Sequence, residues 1–513
     1  MRIAWIMIYT FLQLSLTIIQ AQVPRKLTVE NIFRAIEETG RNAPFDSSRP
    51  GYHLIPGAGF MADPNGGIYR QGWYHVFYLY NPFSNLPGLW CWGHARSKDL
   101  VIWEQLKPAL LPAYDLGITE IGSGSTIVTD QGKPLAFYST MHEGSMKFWR
   151  AVGNSDLTEW KHEDPNPVLS LDHPGLPKFD AFWRDPFVFK TGGRTFLICC
   201  ADLFDDTNVN VPIFEAKDDD LTHWEYRGIL FSYPKHKLRN LEVPELRPLG
   251  DKWVLLASCD APVDMSYCFV GHFDPENLKF TVLSEGPLDY SSHFYAQETL
   301  PDDQGNLSLI AWIPGWDRDW MPNYRDTEMK NTGKWWNGCF ALPRQLTLDA
   351  NGHLVQQPVP SLKQLRMESF TMHRTVLSVQ SVITACDILT GIRGNQLEIS
   401  LSLELGTASF CGLNVLCDRN GHGGMPVLWS GDEINVDGIR VPVREWIPGD
   451  SLQLQVFVDR MYVEVFINGG RYCVTRKIRE ENIKGDYVAL TRLGGNAVLY
   501  QLEAWKLKSI NNK

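Results

Sequence analysis

A glycine-containing turn followed by an apolar, β-prone run recurs five times in this chain, and no other feature restricts the fold as much. Gly72 precedes Trp73–Tyr80 (WYHVFYLY), Gly132 precedes Leu135–Tyr138 (LAFY), and Gly193 precedes Thr195–Cys199 (TFLIC). Gly250 precedes Trp253–Ala257 (WVLLA), and Gly305 precedes Leu307–Trp312 (LSLIAW). The steps between these glycines are 60, 61, 57 and 55 residues. A second mark keeps phase with the first: Asp-Leu-x-x-Trp occurs at Asp99–Trp103, Asp156–Trp160 and Asp220–Trp224, starting 27, 24 and 27 residues after the respective glycines. Five units of this length, each holding several short strands, predict a five-bladed β-propeller over residues 51–350. Each blade would be a four-stranded sheet whose inner strand lines a central axis.

Past Arg344 the pattern changes. Residues 351–363, punctuated by Pro358 and Pro360, read as a linker. Alternating runs follow at Leu397–Leu405, Leu452–Val458 and Tyr462–Ile467, and they predict a β-sandwich over 364–513. The fold class is therefore all-β, a propeller followed by a sandwich. Ahead of the propeller, 22–50 reads as an extension with a short helix over Thr28–Thr39, capped by Thr28, with Glu30 and Glu37 on its polar side. Met1–Ala21 reads as a signal peptide: Arg2 is basic, Ile3–Ile19 is mostly apolar, and Ala21 suits cleavage. Gln13 and Ser15 interrupt that run, and no later run is long and apolar enough to span a bilayer. The expected mature protein is secreted or periplasmic, with no membrane span.

The net charge of -11 argues against a nucleic-acid partner, which needs a basic footprint. Ten cysteines with no CxxC pair offer neither a disulfide scaffold nor a zinc framework, and no cofactor motif is present.

The repeat gives the acidic residues a spatial meaning. Asp63 lies nine residues before Gly72, Asp185 eight before Gly193, and Glu242 eight before Gly250. Equivalent points of different blades converge on the axis, so the three carboxylates are expected in one pocket. Asp63 and Asp185 each precede a proline, and Glu242 precedes Val243-Pro244. Each acid alone could merely start a turn. Together, without a metal or cofactor motif, they point to glycoside hydrolysis, in which one carboxylate attacks or activates water and another protonates the leaving oxygen.

These motifs resemble those of glycoside hydrolase family 32, the invertases, inulinases and levanases, from about His53 to Trp505. Phe60-Met61-Ala62-Asp63-Pro64-Asn65-Gly66 is similar to the family's nucleophile motif. Tyr80-Asn81-Pro82, Trp92-Gly93-His94, Gly122-Ser123-Gly124-Ser125, Arg184-Asp185-Pro186 and Asn240-Leu241-Glu242-Val243-Pro244 follow in order. Ala341–Arg344, Val458–Arg460 and Val463–Phe466 resemble the end of the propeller and the core of the sandwich. The resemblance implies that Asp63 is the nucleophile, Glu242 the acid/base and Asp185 the stabiliser of the transition state. Arg184 would orient the acids, and Asn65, Trp92, Ser123, Arg184 and Trp335 would serve the substrate, a fructan or fructose-containing oligosaccharide. Glu245 is a rival for the acid role, which the repeat phase assigns to Glu242.

The chain departs from the family pattern at Phe60, at Val243, and above all at Ala62 and Leu79, where the family carries Asn and Gln. Both losses remove polar groups expected at the fructosyl unit, which points to a changed sugar or linkage. Trp90, Trp92, Phe182 and Trp183 either shape that pocket or pack the core. The implied activity is a retaining hydrolase that releases terminal β-fructofuranosyl units. The alternatives are the same mechanism on another furanoside, fructosyl transfer, or a sugar-binding protein on a glycosidase scaffold.

Overall fold

The computed structural model describes residues 28–42, 46–142, 145–163, 167–260, 264–315, 335–378, 386–443 and 451–511. The expected leader, 1–21, lies outside the described residues. Five sheets form the propeller. Their inner strands are Gly59–Arg70, Gly124–Val128, Phe179–Thr191, Glu242–Leu249 and Tyr295–Pro301, and each starts an antiparallel sheet that runs outward. Trp336–Asn337, from the long connection within the last blade, pairs parallel with Gly59–Phe60 and ties the two ends of the ring together.

The repeat has a local cause. The turn glycines Gly72, Gly132, Gly193, Gly250 and Gly305 all have positive φ, between 61° and 82°. In blade one, Gln71 and Gly72 are both left-handed in a two-residue turn between Arg70 and Trp73, the twist that a tight hairpin needs. The Asp-Leu-x-x-Trp motif is a second corner. Leu100, Leu157 and Leu221 are left-handed, with φ of 65°, 63° and 56°. The indole of Trp103 donates to the Leu100 carbonyl at 3.0 Å, and that of Trp160 to Leu157 at 2.8 Å. Blade four keeps a left-handed leucine at this corner, Leu278 (φ 53°), but Asn277 stands for the aspartate and Thr281 for the tryptophan. Those two substitutions hid the fourth copy from sequence.

Apolar wedges fill the spaces between blades. Phe187, Phe189, Phe196, Phe231, Phe269 and Phe273 pack between blades three and four, with Phe231 and Phe269 centred 4.7 Å apart. Each buried aromatic contributes about 1.5–3 kcal/mol. Nine cysteines, among those whose side chains are described, are free and buried. Among the described residues no helix is long and apolar enough to cross a membrane.

The expected linker 351–363 is instead structured. Leu354–Pro358 is the outermost strand of blade five, paired with Arg344–Leu348, and Pro360–Leu365 is a 3-10 turn into the sandwich. Pro358 ends the edge strand, where its missing N–H costs nothing. The sandwich has a seven-stranded and a six-stranded sheet. Leu397, Ile399, Leu401 and Leu403 share its core, as the alternation predicts, whereas Leu405 lies past the strand's end at Glu404. The N-terminal helix spans Val29–Asn42, and Thr28 Oγ1 accepts from Asn31 N–H at 3.2 Å.

A buried charged cluster joins propeller to sandwich. Asp459 accepts from the backbone N–H of Gly51, Tyr52 and His53 at 2.7, 2.8 and 3.1 Å. His53 lies between Asp459 (2.8 Å) and Glu464 (3.1 Å). Arg344 donates to Asp289 at 2.9 Å, Glu464 at 2.8 Å and Thr475 at 2.7 Å. Burial alone would lower the His53 pKa, but its two carboxylate partners outweigh that and push it up to about 9. Burial alone would raise Glu464; the hydrogen bond to His53 and the charge of Arg344 hold it below the ordinary range. His53 therefore stabilises the fold fully below about pH 6.5, and the contribution fades as pH rises through about 9. Denaturant titrations should show this alkaline loss in the parent and not in His53→Gln. Arg344→Met, which strands two buried carboxylates, should cost about 3–5 kcal/mol.

Candidate active site

Four of the five inner strands carry the same irregularity near their starts: two residues oppose one on the second strand. The pairs are Ala62-Asp63 opposite Leu79, Asp185-Pro186 opposite Cys199, Val243-Pro244 opposite Ala257, and Ala296-Gln297 opposite Ala311. Such bulges bend a strand and re-aim its side chains. The three carboxylates do gather at this level, but not at one equivalent point. Glu242 is the last paired residue before its bulge, Asp185 the first bulged residue and Asp63 the second. Asp185, Val243 and Ala296 all have left-handed backbone, with φ of 60°, 45° and 50°. Each non-glycine in that region costs on the order of 1–3 kcal/mol, which surrounding bonds must offset.

Those bonds run from blade to blade. Asp63 Oδ2 accepts from the Ser123 hydroxyl at 2.9 Å. Asp185 Oδ2 accepts from Val243 N–H at 3.0 Å and lies 3.7 Å from Arg184 Nε. Glu242 Oε1 accepts from Arg184 Nη2 and from Asn240 Nδ2, the latter at 3.0 Å. Glu242 Oε2 accepts from the Tyr295 hydroxyl at 2.7 Å. Arg184, Glu242 and Tyr295 occupy the same place in blades three, four and five, and they form one hydrogen-bonded chain. Tyr295 has no carboxylate to mark it and escaped the sequence reading. Its signal was phase: it precedes Gly305 by ten residues, displaced from Glu242's eight by the longer Pro301–Leu307 turn.

The environments separate the acids. Asp63 is pushed up to about 6, by burial first and then by the charge of Asp185, with Ser123 and Arg184 pulling it back. Burial also raises Asp185, against the pull of Arg184 and Val243 N–H. Glu242 keeps 17% of its side chain exposed, whereas Glu245 is buried and accepts from Thr299 N–H at 3.1 Å. This favours Glu242 over its rival for work on a ligand.

Two family models match along the chain: the glycosyl hydrolases family 32 N-terminal domain at residues 53–358 and the family 32 C-terminal domain at 361–506. The chain belongs to glycoside hydrolase family 32. It is similar to a sucrose-6-phosphate hydrolase of Bacillus subtilis, 29% identical over 85% of this chain and 91% of that protein. In fold it resembles fructan 1-exohydrolase IIa of Cichorium intybus, solved with 1-kestose (TM-score 0.75, 21% identity, 91% of this chain, 98% of the other). It also resembles a β-fructofuranosidase of Bombyx mori solved with sucrose (TM-score 0.74, 22% identity, 95% and 99% covered).

This family 32 hydrolase places the expected substrate residues unevenly. Ser123 and Arg184 reach the carboxylates directly. Asn65 is buried below Asp63: its Nδ2 donates to the Asp63 carbonyl at 2.7 Å and its Oδ1 accepts from Gly124 N–H at 2.9 Å, so it braces the bulge. Trp92 is 0% exposed, stacked near Phe77, with its indole donating to Gly122 at 2.9 Å. Trp183 is likewise buried, stacked 5.0 Å from Phe148. Trp335 lies under the Arg49 guanidinium, 4.4 Å from its ring, beside the N-terminal helix, in a contact unrelated to the acids. Trp90 and Phe182 keep exposed faces. Ala62 and Leu79 join Phe60, Trp90, Tyr295, Ala296 and Trp312 in one apolar cluster beside Asp63.

An attacking Asp63 would have to be ionised, so on that assignment kcat/KM should fall below about pH 6. Ser123→Ala removes a bond to the ionised form and should move this acid limb upward by about 0.5–1 pH unit. Asp185→Asn should move it downward while slowing turnover. A limb unmoved by either change would remove Asp63 from that role.

Proposed function

We propose that this family 32 glycoside hydrolase is a retaining fructosidase that cleaves terminal β-fructofuranosyl units from sucrose-like oligosaccharides or fructans. The observation that carries this reading is the gathering of Asp63, Asp185 and Glu242 at one level of the axis, where Arg184 and Val243 N–H link the blades of Asp185 and Glu242, and Asp63, held by Ser123, lies close enough to Asp185 to feel its charge. The Asp63 carboxylate bonds to the anomeric carbon as the bond to the leaving oxygen breaks, and Glu242 gives that oxygen its proton. Glu242 then takes a proton from water, the water oxygen bonds to the anomeric carbon, and Asp63 departs as carboxylate. Asp185 stabilises positive charge on the ring in both steps. Tyr295 and Arg184 fix the Glu242 carboxyl in direction. Relatives named sucrose-6-phosphate hydrolase and levanase, and fold neighbours holding 1-kestose and sucrose, support fructosides as the substrate class.

Beside Asp63, Ala62 and Leu79 offer only packing. A furanose held there loses up to two hydrogen bonds, worth about 0.5–1.5 kcal/mol each. Selectivity then rests on shape along this wall. Export is also proposed, supported by the Arg2–Ala21 pattern; protein recovered outside the producing cell should begin near Gln22.

Product release from sucrose, inulin, levan and other furanosides tests the activity. Free fructose is expected from the parent, with Asp63→Asn slower by about 10³-fold or more and still able to bind. Release of a different sugar alone would move the substrate to another furanoside. An Asp63→Asn protein as active as its parent would refute the mechanism.

A further inference from the structure

One step below the catalytic level, the residues after the bulges in blades four and five are both glutamates, Glu245 and Glu298, and both are buried. They are served unequally. Glu245 accepts from Thr299 N–H at 3.1 and 3.2 Å and from the Thr299 hydroxyl, and Arg247 Nε lies 3.8 Å away. Glu298 accepts from the backbone N–H of Gly67 at 2.5 Å. Gly67 closes the segment Asp63-Pro64-Asn65-Gly66-Gly67 that carries the nucleophile. That segment presses directly on blade five: a Cβ on Gly67 would lie 2.2 Å from the Thr299 carbonyl oxygen. Its other supports come from blade two, through Thr126 Oγ1 to the Gly66 carbonyl at 2.8 Å and Gly124 N–H to Asn65.

We propose that Glu298 is a positioning residue for the nucleophile, holding the Asp63 segment against blade five through Gly67 N–H, and that it does so as a neutral, proton-bearing carboxyl group. Two buried carboxyls share one cation here. The charged groups that face Glu298 are Glu245 and Arg247, both from the inner strand of blade four; the first-blade strand presents Gly67 N–H. Burial pushes Glu245 up as well, to about 7, but its contacts from Thr299 and the adjacent Arg247 guanidinium pull it back and make it the better placed of the two to ionise. Burial, with the charge of Glu245, holds Glu298 well above the ordinary carboxylate range. A neutral carboxyl keeps a carbonyl oxygen to accept from Gly67, so the hold survives without the charge.

This inference rests on Asp63 being the nucleophile, which the Asp63→Asn control establishes or refutes separately. The test compares Glu298→Gln, Glu298→Asp and Glu298→Ala in the full chain. Glutamine keeps the length and the acceptor but not the charge. It should keep kcat within about twofold of the parent and leave the acid limb of the pH profile where it is. Ala, and Asp with its shorter reach, should lower kcat about ten- to hundredfold with KM within about threefold, as expected when a reacting group is misplaced. Amide exchange at Gly67 should accelerate in the Ala variant and not in the Gln variant, whatever the activity. A Gln variant as slow as Ala, or an acid limb that falls in Gln, would show that the charge is what matters and overturn the proposal. An Ala variant with unchanged kcat and unchanged Gly67 exchange would overturn it equally.

Discussion

The site depends on a belt of hydrogen bonds that stitches the five inner strands to one another around the axis. Blade two holds blade one through Ser123 to Asp63, Gly124 to Asn65 and Thr126 to Gly66. It holds blade three through Ser125, whose hydroxyl donates to the Pro186 carbonyl and accepts from Val188 N–H, both at 2.9 Å. Blades three and four meet through Asp185 with Val243 and Arg184 with Glu242. Blade five reaches blade four through Tyr295 to Glu242 and Gln297 to the Val243 carbonyl, and blade one through Glu298. The carboxylates proposed to carry the chemistry therefore also close the ring. Left-handed residues such as Asp185 and Val243 persist because this belt fixes them from both sides.

The sandwich bears on the same ring from outside. Its Asp459 and Glu464 grip the chain just ahead of the first inner strand and, through Arg344, the last blade. A fully buried pair of this kind is seldom a large net stabiliser, but leaving one partner alone is costly. It couples the start and end of the propeller to a second core, so the ring does not rely on the short parallel pairing at Gly59–Phe60 alone.

Much of this was legible in the residues because its causes are local. A turn glycine and a left-handed leucine are set by a few neighbours, so the repeat, the propeller and the grouping of Asp63, Asp185 and Glu242 followed from spacing. The stagger of those acids did not, because a bulge adds a residue without any fixed sequence mark. Trp92 and Asn65 sit in motifs beside the site, yet their side chains turn into the core, a direction that spacing does not encode. Trp335 was misplaced because the connection before it is long, and Leu354–Pro358 was missed as a strand because its prolines suit an edge as well as a linker. Tyr295 and Glu298 lie in blade five, the blade whose phase against its glycine is shifted by the longer Pro301–Leu307 turn.

The proposed mechanism turns on Asp63 taking the sugar. Mass spectrometry of the protein quenched during turnover of a fructoside whose leaving group departs without protonation, with Glu242→Gln to delay release, tests it most directly. After proteolysis, one hexosyl unit should be found on the peptide that contains Asp63. A hexosyl unit on the Asp185 or Glu242 peptide, or steady product formation with no adduct at any time, would contradict it.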